Sequence, residues 1–187
     1  SMMGEYYYTA YTELSGGFVA INVEIKAKLK DFEQVESRAK EIADTEGEKI
    51  YQHDVFFLTP KGRLKLRRFP SGMGQLIYYE REDTEGPKPS NYQIVGTDDP
   101  EGLQKLLSAA YGILGEVIKE RLLYLKGRTR IHLDRVEQLG DYLELEVVLP
   151  AGSAVEDGVA EAKGIMEELG LLQEDLVKGA YLDLLTS

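Results

Sequence analysis

Cysteine is missing from all 187 residues, which excludes disulfides and thiolate chemistry and fits a reducing compartment. Histidine is scarce, at two residues, so a zinc site built on imidazole and thiolate is disfavoured. No apolar run approaches the roughly 18 residues of a membrane-spanning helix. The N-terminus has neither the basic start nor the apolar core of a secretory leader. Together these absences predict a cytoplasmic protein without a membrane partner. Positive charge is also in deficit: 22 Lys and Arg stand against 33 Asp and Glu, a net charge of −11. That balance argues against a nucleic-acid polymer as ligand, which needs a basic surface, but leaves room for a small basic cavity. A hydrophobic content of 43% in a chain of this length suits one globular domain with a full core. No feature specifies an oligomeric state.

The most informative stretch is Arg128 to Val148. At the two-residue period of a strand, its first half places Arg128, Arg130, His132 and Asp134 on one face and Thr129, Ile131 and Leu133 on the other. A turn at 138–141 follows. The second half sets Tyr142, Glu144 and Glu146 against Leu143, Leu145 and Val147. The result is a hairpin with one apolar and one charged face, the latter offering guanidiniums on one strand and a Glu-x-Glu pair on the other.

The rest of the chain repeats the pattern. Residues 1–21, with Tyr6, Tyr7, Tyr8 and Tyr11, are read as a loose extension, with an added edge strand as the alternative; the domain proper spans 22–187. NVEIKAKL alternates Val23, Ile25, Ala27 and Leu29 with Asn22, Glu24, Lys26 and Lys28. Asp31 caps a predicted helix to about Thr45, with Phe32, Val35, Ala39 and Ile42 as its stripe. Strands are expected at 52–57, 63–69 with Lys65 and Arg67 on one face, and 76–82 with Ile77, Tyr79 and Arg81. A Pro- and Gly-containing loop carrying Lys88 leads to a short strand at 92–95. Asp98-Asp99-Pro100 opens a helix to Tyr111, and 115–125 returns to strand with Lys119 and Arg121 together. Residues 154–170 are an amphipathic helix, followed by a short helix at 173–179.

Ten of the 22 basic residues but only four of the 33 acidic ones fall on these polar strand faces: Lys26, Lys28, Lys65, Arg67, Arg81, Lys88, Lys119, Arg121, Arg128 and Arg130 against Glu24, Asp134, Glu144 and Glu146. Solvated strand faces usually also carry Ser, Thr and Gln, which are scarce here. Turned inward around a barrel, the faces make a polar tunnel that a polyanion would neutralise. Arg forks and Lys point charges suit phosphate oxygens, and the number of cations suits a triphosphate. Carboxylates from several strands suit Mg²⁺ or Mn²⁺ as cofactor. His132 shares the charged face as a candidate acid or base; His53 lies opposite Gln52 and Asp54. The loop at 71–74 lacks the Gly-Lys-Ser/Thr ending of a P-loop.

An ordered set of segments, NVEIKAKL, GRLKLR at 62–67, YYER at 78–81, GPKPSNY at 86–92, VIKERLLYL at 117–125 and TRIHLDRVEQLGDYLELEVVL at 129–149, resembles the CYTH superfamily of triphosphate tunnel metalloenzymes. That superfamily includes class IV adenylyl cyclases and thiamine triphosphatases, and the pattern resembles the cyclase-like group more closely. The resemblance runs from about 22 to 185. It implies an α+β fold, an eight-stranded antiparallel β-barrel flanked by helices. It implies that Lys26, Lys65, Arg67, Arg81, Lys119, Arg121, Arg128 and Arg130 hold phosphate oxygens. Glu24, Glu144 and Glu146 then hold metal, with Asp134 as a further candidate. Lys26, Arg67 and Arg130, with His132, are the residues expected to act in catalysis. The substrate would be ATP, thiamine triphosphate or tripolyphosphate, through either hydrolysis or cyclisation of ATP to cyclic AMP and pyrophosphate. One departure stands out: where the family has Glu-x-Glu-x-Lys, this chain reads Asn22-Val-Glu24-Ile-Lys26. The missing carboxylate puts a second metal in question and keeps a non-catalytic triphosphate-binding module as the alternative.

Overall fold

The computed structural model describes residues 8–14, 18–80, 93–150 and 152–187. Its elements run β1 (Tyr8–Leu14), β2 (Phe18–Lys28), α1 (Phe32–Ile42), β3 (Glu48–Phe57), β4 (Arg63–Arg68), β5 (Gly74–Tyr79) and β6 (Gln93–Thr97). They continue with α2 (Pro100–Tyr111), β7 (Ile113–Lys126), β8 (Thr129–Val136), β9 (Gly140–Pro150), α3 (Val155–Glu168), β10 (Leu176–Val177) and α4 (Tyr181–Thr186). The fold is α+β: nine strands form an antiparallel sheet in the order β1-β2-β9-β8-β7-β3-β4-β5-β6, and β10 pairs with β2.

The hairpin read from the sequence is β8–β9. Its loop is closed by Leu139 N–H on Val136 O at 3.1 Å. Gln138 and Gly140 both have positive φ, at 68° and 99°, which glycine tolerates best. Alternation puts Ile131, Leu133, Leu143 and Leu145 on one face, where they join Val23, Ile25 and Ala27 of β2 in the main core. Helices α1 and α3 cover that face with Phe32, Val35, Ala39, Ala162, Ile165 and Met166. Because the helices take the apolar face, the charged faces of the same strands are left to line the concave side. Asp31 caps α1 as expected, accepting from Gln34 N at 3.1 Å, but the helix stops at Ile42, short of Thr45.

Three expectations change. Residues 8–14 form an edge strand, and β2 begins at Phe18, before Asn22. The last short helix gives way to a 3₁₀ turn at Gln173–Asp175, the two-residue β10 and α4. The sheet path counts nine strands, β1 adding to the eight expected, and among the described residues its terminal strands, β1 and β6, do not pair with each other. The outer edge of β2 is shared end to end, by β1 along Phe18–Glu24 and by β10 at Lys26 and Ala27, so its hydrogen-bonding groups are already taken. The strand predicted at 76–82 is β5, and its end at Arg81 and the loop around Lys88 lie outside the described residues.

Two glycines on α3 test the packing. A Cβ on Gly158 would sit 2.7 Å from a Val23 methyl and 2.8 Å from a Leu149 methyl, whereas nothing lies within 4 Å of one on Gly164. Gly158→Ala should therefore lower stability, because overpacking costs about 1–3 kcal/mol and offsets the helix-propensity gain of about 1 kcal/mol. Gly164→Ala should raise stability by up to about 1 kcal/mol. Paired urea unfolding curves check this; equal shifts for both variants would contradict the α3–β2 contact.

Candidate functional site

The polar faces meet across the sheet. Glu24 on β2 faces Glu146 on β9, and Lys26 faces Glu144. On the other side of β9, Glu146 faces Arg130 and Glu144 faces His132. Arg121 on β7 faces Asp134 on β8, and Asp54 on β3 faces Arg67 on β4. These side chains surround a cavity of about 330 Å³ lined by Lys26, Lys65, Arg67, Lys119 and Arg121 together with Glu24, Asp54, Glu144 and Glu146. Phe56, Ile77, Tyr79, Val117, Tyr181 and Leu182 supply its apolar wall.

Four of the cavity's cations, Lys26, Lys65, Arg67 and Arg121, are held by carboxylates, and Lys119 lies 5.2 Å from the Tyr181 ring. Lys26 lies 3.3 Å from Glu144, donates to Gly179 O at 2.8 Å and sits 4.0 Å above the Tyr181 ring. Arg67 donates from Nε and Nη2 to the two oxygens of Asp54, at 2.8 and 2.9 Å, and Lys65 Nζ is 3.4 Å from the same carboxylate. Arg121 donates from Nε and Nη2 to Asp134, both at 2.8 Å, and from Nη2 to Glu144 at 3.1 Å. The Tyr181 hydroxyl donates to Asp134 Oδ2 at 2.7 Å.

Burial and charge then set the protonation states. Burial alone would raise the Asp54 carboxyl, but the Arg67 hydrogen bonds and the charges of Lys65, Arg67 and Lys119 hold it well below the usual carboxylate range. Burial likewise opposes ionisation of Glu144, and Arg121, Lys26 and Lys119 overcome it, so this carboxyl is also held low. Glu146, two residues away, goes the other way: burial raises it more than Arg130 and Arg121 lower it. Burial pulls Lys65 down against Asp54, and burial with Arg121 pulls Lys119 down to about 7. Burial opposes the charge on Arg121, but Asp134 and Glu144 outweigh it and keep it ionised. His132 is pushed down to about 3 by burial and by Arg121, so it is neutral at physiological pH. Burial, Glu144 and Asp134 raise Tyr181 well above the usual phenol range, which keeps its proton available to Asp134.

The structure sorts the residues expected from sequence. Lys26, Lys65, Arg67, Lys119, Arg121, Glu24, Glu144 and Glu146 line the cavity. His132 and Asp134 are buried on the same strand faces, and Asp134 accepts hydrogen bonds from Arg121 and Tyr181. Arg130 is on the charged face, yet its side chain is 54% exposed and its Nε lies 3.9 Å from Glu146. Lys28 turns away, donating to Leu139 O at 3.0 Å over the Tyr142 ring. Arg128 precedes β8 and reaches α3, where its Nε donates to Glu161 at 2.8 Å. His53 is paired with Glu116 at 2.9 Å on the outer face. Arg81 and Lys88 lie outside the described residues. Sequence reasoning missed Asp54 and Tyr181. The alternation Gln52, Asp54, Phe56 carried a signal for the first; nothing local marked the second.

Among the described residues, no three acidic or histidine side chains form a ready metal cluster. The donor set nevertheless fits a hard divalent cation. Glu24 and Glu146 are directly opposed on adjacent strands and both line the cavity. Asn22, one same-face position along β2, has a buried Oδ1 without a hydrogen-bond partner. All these donors are oxygens, as Mg²⁺ and Mn²⁺ prefer. Charge points the same way: among the described residues five cations already face four carboxylates in the cavity, so a polyanion entering it brings negative charge that a divalent cation would balance.

Fold and site together are those of an α+β protein whose antiparallel sheet carries buried, carboxylate-held cations around one cavity. The chain belongs to the CYTH domain family, whose model matches residues 20–181. Proteins of this family act on triphosphates, as triphosphatases or as candidate adenylyl cyclases, and are generally dependent on divalent metal. The fold is similar to that of the PH1012 protein from Pyrococcus horikoshii, with 27% identity and a TM-score of 0.73 over 87% of this chain and 98% of that one. It is also similar to a candidate adenylate cyclase from Vibrio parahaemolyticus, with 20% identity and a TM-score of 0.70 over 89% and 98% of the two chains. A third similar structure is a candidate adenylyl cyclase from Hippeastrum described as having a dominant triphosphatase activity, with 17% identity and a TM-score of 0.58 over 80% and 88%. No curated protein matches the chain significantly in sequence.

Proposed function

We propose that this protein is a divalent-metal-dependent enzyme that binds a nucleoside, other organic or inorganic triphosphate in the cavity and breaks one of its phosphorus–oxygen bonds. What carries the proposal is the concentration of Lys26, Lys65, Arg67, Lys119 and Arg121 in one cavity of a chain whose net charge is −11. Residues 22–187 act as the tunnel domain, its strands closing around the ligand as an eight-stranded barrel, with 1–21 appended. Glu24, Glu144 and Glu146 would hold Mg²⁺ or Mn²⁺, which would supply Lewis-acid charge to the bound phosphates. The chain's own cations bind and orient the phosphates and stabilise the charge that builds on them as the bond breaks. In hydrolysis, water attacks the terminal phosphorus and orthophosphate separates from a diphosphate. In cyclisation, the ribose 3′-OH attacks the α-phosphorus and pyrophosphate leaves.

Phosphorus NMR of the products from ATP, thiamine triphosphate and tripolyphosphate, each with Mg²⁺ or Mn²⁺, tests the proposal. Orthophosphate with a diphosphate identifies a triphosphatase, and cyclic AMP with pyrophosphate identifies a cyclase. Asn22, an uncharged donor with a buried orphan oxygen, favours a second reading as a triphosphate-binding module without catalysis. Tight binding with no turnover would select it; no binding at all would refute both.

Protonation gives a further check. Lys119 sits near 7 in the unliganded protein because of burial and Arg121. A triphosphate beside it favours the charged form, so binding takes up a proton between the free and bound values. Uptake through Lys119 should be near zero at pH 5.5, about half a proton at pH 7 and close to one at pH 8. Calorimetric binding enthalpies in buffers of different ionisation enthalpy measure it, and a zero slope at pH 8 would contradict the burial of Lys119 in the binding site.

A further inference from the structure

Two walls of the cavity repeat one arrangement. Asp54 and Arg67 are directly opposed across β3 and β4, and Arg121 and Asp134 across β7 and β8. In each pair the arginine donates from Nε and Nη2 to both oxygens of the aspartate. Both aspartates are sealed from solvent, with 2% and 0% of their surface exposed, while both guanidiniums reach the cavity. Each aspartate has a further partner: Lys65 Nζ at 3.4 Å from Asp54 and the Tyr181 hydroxyl at 2.7 Å from Asp134. Among the described residues the side-on grip leaves Nη1 of each arginine without a hydrogen bond, while Arg121 Nη2 also donates to Glu144 at 3.1 Å.

We propose that Asp54 and Asp134 are a matched pair of positioning residues, each locking one guanidinium side-on so that its remaining edge is presented to a phosphate group of the bound polyanion. This rests on the triphosphate function proposed above. An arginine left to itself loses rotamer freedom when it closes on a ligand; one already clamped by a buried carboxylate has lost that freedom during folding, so binding is stronger for the same contact. The geometry disfavours two other roles. A metal ligand needs open access for the ion, and the two aspartates, with 2% and 0% of their surface exposed, offer little. A gate that yields to phosphate would leave a carboxylate stranded in the interior, where an unpaired charge is most costly.

The test is a double-mutant cycle on tripolyphosphate binding, read by calorimetry at fixed salt. Asp54→Asn keeps the shape but removes the charged grip; it should weaken binding roughly tenfold to a hundredfold, the scale on which misplacing a binding group acts. Arg67→Lys keeps the charge but removes the fork. In an Arg67→Lys background, Asp54→Asn should cause no further loss, because Asp54 acts through the fork. Equal losses in both backgrounds, or tighter binding by Asp54→Asn, would overturn the positioning role. A measurement on the unmodified protein guards against variants that fail to fold: the arginine Nε–H signals of Arg67 and Arg121 should stay protected from exchange when tripolyphosphate is added. Loss of that protection would mean displacement of the aspartates and would overturn the proposal. If the unmodified protein does not bind tripolyphosphate, the triphosphate function itself fails and the positioning role falls with it.

Discussion

Replacing Arg121 by Ala should destabilise the protein by about 3–5 kcal/mol, the usual effect of removing one member of a buried ion pair. Its side chain is only 12% exposed, and it satisfies both oxygens of Asp134, which has no exposed surface, as well as one oxygen of Glu144. Without it, Asp134 retains the Tyr181 hydroxyl alone among its described partners. The loss belongs to the stranded carboxylate more than to the missing contact, so Arg121→Met combined with Asp134→Asn should recover a large part of it. Urea unfolding of the three proteins measures this. A loss below about 1 kcal/mol for the single variant, the scale of surface pairs, would mean that water reaches Asp134 and that the pair is not truly interior.

Lys65→Met should weaken triphosphate binding by about 1.5–3 kcal/mol, the range for hydrogen bonds to charged groups, or roughly tenfold to 150-fold. The site favours this substitution as a probe because Asp54 keeps both hydrogen bonds from Arg67, so no buried carboxylate is orphaned. Arg128→Met is the matched control. Its guanidinium is spent on Glu161 of α3, at a half-exposed position where an ion pair contributes about 0–1 kcal/mol, and it does not line the cavity. Calorimetric titration with tripolyphosphate should separate the two by an order of magnitude or more. Equal effects would contradict the cavity as the binding site and favour a diffuse electrostatic attraction.

The polar faces were legible because strand periodicity is a local property. Val23, Ile25 and Ala27 against Glu24, Lys26 and Lys28, or Leu143 and Leu145 against Glu144 and Glu146, need only the two-residue repeat to be divided into an apolar and a charged side. Eight of the expected site residues line the cavity for that reason. Arg128 shows the limit: alternation carries it along with Arg130, but the chain is still turning at Gly127, which has φ 55°, and β8 begins only at Thr129. One residue outside the ladder, the side chain is free to reach α3. Asp54 is the converse. Its face could be read, yet its role depends on the register that sets it opposite Arg67 and within reach of Lys65.

The charge of the site divides in the same way. Counting residues on strand faces gives a strongly cationic patch, whereas among the described residues the folded cavity brings five cations against four carboxylates, because register also delivers Asp54 and leaves Lys28, Arg128 and Arg130 outside the lining, while Arg81 and Lys88 lie outside the described residues. Tyr181 lies 47 residues from the Asp134 it bonds, and Gly179 lies 153 residues from Lys26. The amino-acid order alone determined which side chains share a face, where α1 and α2 are capped, and that the chemistry would be that of cations and carboxylates without sulfur. Which faces meet and which cations are paired were settled by strand register and helix packing. Those depend on contacts between distant segments, where the free energy of pairing and burial, not local periodicity, selects the partner.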